Sequence, residues 1–487
     1  MKIKGLRWWI IGLIVLITII NYLDRGTLNY MWVTNVEYTI VDQFSNNLKT
    51  NEAIYLKDKN TYLLKNKKGK IIEQQATHLS QKKDGKVVVN REGIAYDLGI
   101  IEKDTTPDEA SKKAKGILGT ITIFFMIAYG ISQLFSGKMY DKIGTRRGFV
   151  ISAAIWGLAD ALTSLAKGKF SLTAFRIMLG LGEAGPWPGA VKSNAEWFPQ
   201  KERAFAQGLF NAAASIGSIL APIVILMLYL LVGWRLTFLI VGSLGLIWII
   251  PWLIINKKGP KEHPWITEKE REYILTGQPE AQIVDERGKS WGELLSNKKN
   301  YSVILGRFFL DPIWWMFVTY LPLYLVEQFN LNITELAFSA WVPYFGAMIG
   351  SLTGGWFSGY LMRHGKTVDK ARKIAMLVGG LIIIPSVIAS VMVSNAMMAV
   401  ILMAFVLGGF QFTMTNIQTL PSDLHCGKSV GSLAGLGGAS AVLGTILAIL
   451  FSAKIPSWPL LFGLLAALVP LSLGSIFLTV GKIEQIK

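Results

Sequence analysis

The chain alternates long apolar runs with short polar ones, and this alternation predicts membrane-spanning helices. A helix needs about 20 apolar residues to cross the hydrocarbon core. Twelve segments approach that length, and a polar stretch over residues 256–300 divides them into six plus six. They lie near residues 8–35, 117–138, 148–166, 170–194, 207–231, 235–255, 301–325, 335–362, 374–393, 397–421, 431–453 and 458–480. The pattern predicts an all-α membrane protein with two six-helix halves, an architecture typical of transporters built from repeats.

A long polar insert separates the first two spans. It contains "YLLKNKKGKIIEQQ" and "KKDGKVVVNREGIAYDLGI", in which β-branched runs flank turns that contain glycine, as in β-hairpins. A small β-rich module outside the cytoplasm is therefore expected, either as a solvated insertion or as a lid or docking module. The expected divisions are 1–35 (first helix), 36–115 (insert), 116–255 (helices 2–6), 256–300 (cytoplasmic linker) and 301–487 (helices 7–12).

Composition supports the membrane assignment and narrows the partners. The chain of 487 residues is 52% hydrophobic and only 17% charged, which is too apolar for a soluble protein of this size. Its net charge of +17 gathers in loops such as "GKMYDKIGTRRG" and "INKKGPKEH" that follow even-numbered spans. This distribution indicates cytoplasmic loops facing anionic lipid, with both termini and the linker cytoplasmic, and it argues against nucleic acid.

The sequence offers little for catalysis or for a cofactor. A single cysteine excludes a disulfide framework, and no spacing resembles a metal site. The four histidines all fall in the insert, in loops or at span ends, so a membrane enzyme is disfavoured. We expect no cofactor.

Among the charged residues inside predicted spans, four stand out. Asp24 and Arg25 are adjacent in "NYLDRGTLNY", while Arg176 and Glu183 are seven residues apart and so share a helix face. Each intramembrane charge costs at least about 2.5 to 3.5 kcal/mol on insertion scales, so such residues are functional candidates. The two acids and two bases sum to zero charge. They can serve as mutual salt bridges or as a site that binds an anion and a proton.

The charge types favour the functional interpretation. Arginine stays protonated and offers a planar fork that matches a carboxylate. Burial and a neighbouring arginine shift the pKa of a carboxylic acid in opposite directions, so such an acid can load and release a proton. Protonating Asp24 or Glu183 would free an arginine to bind an anionic substrate, and proton and anion would become coupled.

Further candidates flank these charges. Polar ligands for substrate hydroxyls, or alternatively helix-contact residues, are Tyr22, Tyr129, Gln133, Asn416 and Gln418.

The seventh span contains an unusual cluster, Asp311 and Pro312 followed by Trp314 and Trp315. The proline predicts a kinked gate with a stacking aromatic, or else the tryptophans belong to an interfacial belt.

The loop "GKMYDKIGTRRG" resembles a known signature. Gly137, Asp141, Lys142, Gly144, Arg146 and Arg147 match the motif between the second and third spans of the major facilitator superfamily. The resemblance implies that the acid and the basic residues form a charge latch between the halves on the cytoplasmic side. In the second half, Gly359 occupies the position where the acid would be expected. Any latch there should therefore be weaker or be formed by other residues.

Further motifs narrow the resemblance to one branch of this superfamily. "FRIMLGLGEAGPWPG", "EWFPQKERA" and "NYLDR" are similar to the anion:cation symporter branch, and "RFFLDPIWWMFVTYLPLYL" and "QTLPSDLHCGKSVGSLAGLGG" resemble its hexuronate members. The resemblance implies proton carriers at Asp24 and Glu183, and charge coupling and substrate contacts at Arg25 and Arg176. It also implies a bacterial cytoplasmic membrane, and we expect a monomer.

Alternatives remain within and beyond this branch. The same charges would serve another organic anion, such as an aldonate, aldarate or dicarboxylate, or sodium coupling. A transporter-like sensor that moves no substrate would show the same pattern.

Overall fold

The computed structural model describes the chain except for residues 1, 33, 41–51, 57–60, 66–70, 76–79, 82–85, 103–106, 279–286, 330–338, 453–454, 456 and 487. Within the described residues, long helices supply all twelve spans. In chain order these helices are Leu6–Met31, Pro107–Thr163, Lys169–Glu183 with Pro186–Trp197, Gln200–Ile255, Tyr301–Phe329, Val342–Arg363, Val368–Ser390, Ala396–Ile417, Val430–Ser452 and Trp458–Val480.

Two of these helices are double spans that reverse at a glycine. Pro107–Thr163 turns at Gly144, with φ 82°, and Gln200–Ile255 turns at Gly233, with φ 77°. A positive φ of this kind is open mainly to glycine. The reversal after Gly144 brings Tyr140 back against the third span, where its hydroxyl donates to Ser152 Oγ at 3.3 Å. Pro107–Thr163 thus gives the second and third spans, and Gln200–Ile255 gives the fifth and sixth. The predicted twelve-span fold is confirmed.

The insert forms one six-stranded sheet in the order β4-β3-β2-β1-β6-β5. Its strands are β1 (Thr34–Ile40), β2 (Glu52–Leu56), β3 (Thr61–Lys65), β4 (Ile71–Gln75), β5 (Ser80–Gln81) and β6 (Lys86–Glu92). The β3–β4 and β5–β6 pairs are antiparallel, as the two hairpin patterns predict. The one-turn helix Ile94–Asp97 follows, and Asp97 accepts the indole N–H of Trp234, beside the turn between the fifth and sixth spans, at 2.8 Å.

The linker is partly helical and binds the start of the first span. Helices Glu268–Thr276 and Trp291–Ser296 lie within it. Glu270 accepts the backbone N–H groups of Leu6 and Arg7 at 3.0 and 3.2 Å and pairs with the Arg7 guanidinium at 3.1 Å. This supplies the acceptors and the negative charge that a helix N-terminus lacks.

The linker also anchors the fifth span and the chain end. Tyr273 donates to Glu202 at 2.6 Å, and burial together with this hydrogen bond raises the pKa of Tyr273 to about 12. Lys299 Nζ donates to the backbone oxygen of Lys482 at 3.2 Å. Both chain ends and the linker therefore lie on one side of the molecule, here called the linker side, and the sheet lies on the other, the insert side.

Close helix contacts hold the fourth span in place. A Cβ on Gly182 would lie 2.5 Å from the backbone nitrogen of Trp156, and one on Gly180 would lie 2.7 Å from the carbonyl oxygen of Phe125. Backbones approach this closely where a glycine presents no side chain. The fourth span, which carries Arg176 and Glu183, is thus clamped against the second and third.

Replacing Glu270 by Gln should destabilise the folded protein by about 1 to 2 kcal/mol, because one ion pair and the charge on two helix-terminal N–H groups are lost. The thermal unfolding midpoint of purified protein in detergent measures this. Glu272→Gln on the exposed face of the same linker helix is the matched control. An equal fall in both variants would show that the first span does not depend on this carboxylate.

Candidate functional site

Two adjoining cavities lie between the halves. The outer cavity, of about 190 Å³, extends toward the insert side and is lined by both halves, including Arg25, Arg176, Trp315 and Tyr344. The inner cavity, of about 40 Å³, lies deeper and is lined by Arg25, Gln133, Arg307, Asp311, Gln418 and others. Tyr22, Arg25, Trp314 and Trp315 line both. These four residues form the boundary between the cavities.

Arg25 is held by a carboxylate and by aromatic rings. Its Nε donates to Glu183 Oε2 at 3.0 Å, and its Nη2 lies 2.9 Å from the same oxygen. Its guanidinium carbon lies 5.0 Å from the Tyr22 ring centroid, 5.2 Å from that of Tyr129 and 5.8 Å from that of Trp315. Cation–π contacts at this range are favourable. Trp315 belongs to the second half, so Arg25 joins both halves.

Arg176 is buried but has no carboxylate within salt-bridge distance among the described residues. Its side chain lies against the Phe238 ring at 5.4 Å, and its Nε and Nη2 have no hydrogen-bond partner. The residue is only 4% exposed, yet it lines the outer cavity. Unpaired donors on a buried cation are costly. The guanidinium is therefore available to an anion entering from the insert side.

A third acid joins the four charges identified from the sequence. Asp160 in the third span is fully buried beside Asp24, and the carboxylate oxygens of both make no hydrogen bond of normal geometry. Arg176 interacts electrostatically with Asp24, Asp160 and Glu183. The expected neutral set of four is therefore incomplete. With Asp160, three acids face two arginines, and the formal charges sum to −1 when every group is ionised.

The predicted polar ligands divide into cavity residues and a packing residue. Tyr22, Tyr129, Gln133 and Gln418 line the inner cavity. Asn416 lines neither cavity, because its amide donates to the backbone oxygens of Gly354 and Phe412 at 3.2 and 3.0 Å. It fastens the tenth span to the eighth. Its assignment as a substrate ligand is not supported by this position.

The seventh span continues as a helix through Pro312, so no break accompanies the predicted kink. Tyr301–Phe329 is helical throughout, across Pro312. Proline has no N–H group to donate to the carbonyl four residues earlier, which here belongs to Phe308. A Cβ on Gly444 of the eleventh span would lie 2.1 Å from this carbonyl oxygen. The eleventh span therefore packs closely at this point. The fourth span is interrupted between Glu183 and Pro186.

The aromatic residues after Pro312 face the cavities instead of an interfacial belt. Trp314 stacks on Phe410 with ring centroids 5.8 Å apart and meets Tyr344 edge-on at 6.0 Å. One turn earlier, Asp311 accepts two bonds from Arg307, from Nε at 3.2 Å and from Nη2 at 3.1 Å. Arg307 had no place in the sequence-based site, although its spacing of four from Asp311 places both on one helix face.

Asp141 joins the halves on the linker side. Its carboxylate accepts Lys192 Nζ at 2.9 Å from the first half, and Gly431 N at 3.0 Å, Ser432 N at 2.6 Å and Ser432 Oγ at 2.7 Å from the second. The last three donors lie at the start of the eleventh span, where the helix end favours an anion. A Cβ on Gly137 would lie 2.2 Å from the Gly431 oxygen. This contact requires glycine.

The basic partners of this gate are not the predicted ones. Arg146 donates to the Leu253 carbonyl at 3.2 Å and stays within the first half, while Arg147 is exposed. The cation at Asp141 is Lys192, which also donates to the Gly427 carbonyl of the second half at 2.9 Å. The two arginines of the motif come after the turn at Gly144 and so belong to the third span, away from the contact between Asp141 and the eleventh span.

The second half closes by a different arrangement, as its missing acid suggested. A Cβ on Gly359 would lie 2.7 Å from the Lys201 backbone oxygen. The two backbones are therefore in direct contact at the position that corresponds to Asp141 in the first half. The charge comes from Asp423, which pairs with Arg372 at 2.9 Å and accepts Gln200 Nε2 at 3.2 Å, both acid and arginine being fully buried. Together the two gates close the linker side, while the outer cavity extends toward the insert side.

Comparison with known proteins agrees with this architecture. A family model described as Major Facilitator Superfamily matches residues 14–449. The chain belongs to this superfamily. It is accordingly a multi-pass membrane transporter and not an enzyme.

Relatives within the major facilitator superfamily handle sugar acids. The "Hexuronate transporter" of Escherichia coli (strain K12) is 28% identical over 451 residues, which is 92% of this chain and 87% of that protein. The "Galacturonate transporter" of Dickeya chrysanthemi is 34% identical over 262 residues, 53% of this chain and 76% of that protein. The solved structure of the proton:xylose symporter XylE bound to 6-bromo-6-deoxy-D-glucose shares the fold, with a TM-score of 0.65 at 12% identity, covering 98% of this chain and 96% of that one.

In this facilitator, Asp141→Asn should loosen the linker-side gate, because hydrogen bonds to a neutral amide are weaker than those to a carboxylate. The only cysteine, Cys426, lines a cavity on the linker side with Asp141 and Lys192, and burial raises the pKa of its thiol. We expect a membrane-impermeant maleimide to label it about tenfold faster in the variant, a shift of roughly 1.4 kcal/mol. Arg147→Gln is the control, and equal rates in both variants would contradict the gate.

Proposed function

We propose that this transporter imports an anionic sugar acid, a hexuronate such as galacturonate or glucuronate, by proton symport. The proposal places it in a bacterial cytoplasmic membrane as a monomer, with its linker side and both termini in the cytoplasm. The outward-extending cavity, closed gates and buried charges then correspond to one state of an alternating-access cycle.

The observation that carries the proposal is the unequal pairing of the two first-half arginines. In the part of the chain that the structure describes, no carboxylate lies within salt-bridge distance of Arg176 at the outer cavity, whereas Arg25 is bound to Glu183 at 2.9 Å. Arg176 is thus ready to attract a carboxylate, while Arg25 becomes available only when Glu183 is neutralised. A bidentate carboxylate–guanidinium contact combines charge with directional recognition.

Proton coupling follows from the same arrangement. Asp24, Asp160 and Glu183 carry one more negative charge than Arg25 and Arg176 can balance, and burying an uncompensated charge is costly. A proton bound to the cluster removes that excess. A second proton on Glu183 would release Arg25, and the substrate carboxylate would then replace the lost negative charge. Proton and anion therefore favour each other's binding.

The remaining cavity wall suits a sugar. Tyr22, Trp314 and Trp315 offer apolar ring faces, and Gln133 and Gln418 offer amides at the inner cavity. Hydroxyl-bearing rings are bound by such combinations of aromatic faces and a few convergent polar groups. The relatives named as hexuronate and galacturonate transporters favour a hexuronate among the acids that meet these requirements.

The proposal predicts that purified protein in liposomes accumulates labelled galacturonate or glucuronate only when a proton gradient is directed inward. Gradient-dependent accumulation without sodium would support both substrate class and coupling. Competition by galactonate without hexuronate flux would move the substrate to an aldonate. Substrate binding without flux of any acid would indicate a sensor, and flux that requires sodium would contradict proton coupling.

Two variants should separate coupling from binding. Glu183→Gln should abolish gradient-driven accumulation but retain exchange of labelled substrate, because a neutral side chain cannot carry the proton. Arg176→Gln should weaken substrate binding by roughly 10- to 150-fold, the loss expected for charged hydrogen bonds. Binding is measured by isothermal calorimetry, with Arg147→Gln as control. Normal accumulation in both variants would show that these charges are only structural.

A further inference from the structure

The second-half wall of the inner cavity carries an arginine that is already occupied. Arg307 and Asp311 lie on one face of the seventh span, are 8% and 9% exposed, and form two parallel hydrogen bonds at 3.2 and 3.1 Å. Both line the inner cavity, together with Arg25 of the first half. This is the fork-to-fork geometry by which arginine binds a carboxylate.

The two walls therefore differ in available charge. On the first-half side, Arg176 has unpaired donors and Arg25 is releasable by protonation of Glu183. On the second-half side, the charge of Arg307 is cancelled by a carboxylate of the same helix. A substrate that spans the boundary at Tyr22 and Trp315 would meet a cation at one end and a neutral pair at the other.

We infer that Asp311 holds the position on Arg307 that a second substrate carboxylate would take, and thereby makes the cavity selective for monocarboxylic over dicarboxylic sugar acids. This inference rests on the proposed function and names the specificity of the same site. A hexuronate has one carboxylate, and its other end is a neutral hydroxyl-bearing ring. An aldarate of equal chain length has a carboxylate at both ends.

The physical reason is competition for one guanidinium in a region of low dielectric. The second carboxylate of an aldarate would approach Asp311, a buried acid of like charge. If Asp311 moved away from Arg307, its own buried charge would lose its partner, which is costly. A neutral hydroxyl meets no such repulsion, and it can share hydrogen bonds with Gln418 or Gln133. Such repulsive elements are a common source of specificity.

The test measures competition by galacturonate, galactonate and galactarate in purified protein reconstituted in liposomes, for wild type and for Asp311→Asn. We expect wild type to favour both monocarboxylates. In Asp311→Asn, Arg307 loses its internal carboxylate, so the ratio of galactarate to galacturonate affinity should rise by about tenfold or more. The double variant Arg307→Gln with Asp311→Asn restores a neutral pair and should show no such rise.

Each result bears on a stated claim. An unchanged ratio in Asp311→Asn, measured on protein whose binding of galacturonate shows it to be folded, would overturn the inference while leaving hexuronate transport intact. Loss of gradient-driven accumulation without a change in the ratio would also overturn it, assigning Asp311 to proton transfer. A wild type that prefers galactonate to galacturonate would contradict the hexuronate proposal. In that case, a rise in the relative affinity for galactarate in Asp311→Asn would still support the role of Asp311.

Discussion

The structure depends on the pairing of buried charges in a medium that does not tolerate unpaired ones. In the cavity, Arg25 is bound to Glu183 and Arg307 to Asp311, whereas Nε and Nη2 of Arg176 have no hydrogen-bond partner among the described residues. Because removing one member of a buried pair is more costly than removing both, a change in one protonation state alters which partner an arginine prefers. The same physics stabilises the observed arrangement and underlies the proposed response to protons and anions.

The two gates show how a repeated architecture adapts to different local sequences. In the first half a carboxylate, Asp141, bridges to the start of the eleventh span, while in the second half Gly359 lets the backbone of Lys201 approach directly. The missing charge is supplied nearby by Asp423 and Arg372. Both solutions place small residues or short hydrogen bonds where helix ends meet.

The spans, the insert hairpins and four of the charges in the cavity cluster could be predicted from the sequence, because hydrophobic length and charge cost are properties of single segments. The pairing could not, since it depends on which helices pack together. Asp160 lies in a span predicted for its apolar residues alone. Pro312 predicts a kink from its local chemistry; the helix continues through it, and Gly444 packs close to the Phe308 carbonyl. Arg146 matches a signature, yet the turn at Gly144 directs it away from the second half.

In the proposed symport, the acid anion and a proton bind in one coupled event at the buried cluster. Proton uptake on substrate binding tests this most directly, by adding galacturonate to purified protein in weakly buffered detergent solution and following the pH. Coupled binding predicts proton uptake that saturates with galacturonate binding and approaches about one proton per protein at a pH where the cluster is partly deprotonated. Saturable galacturonate binding with no proton uptake at any pH between 5 and 8 would contradict it.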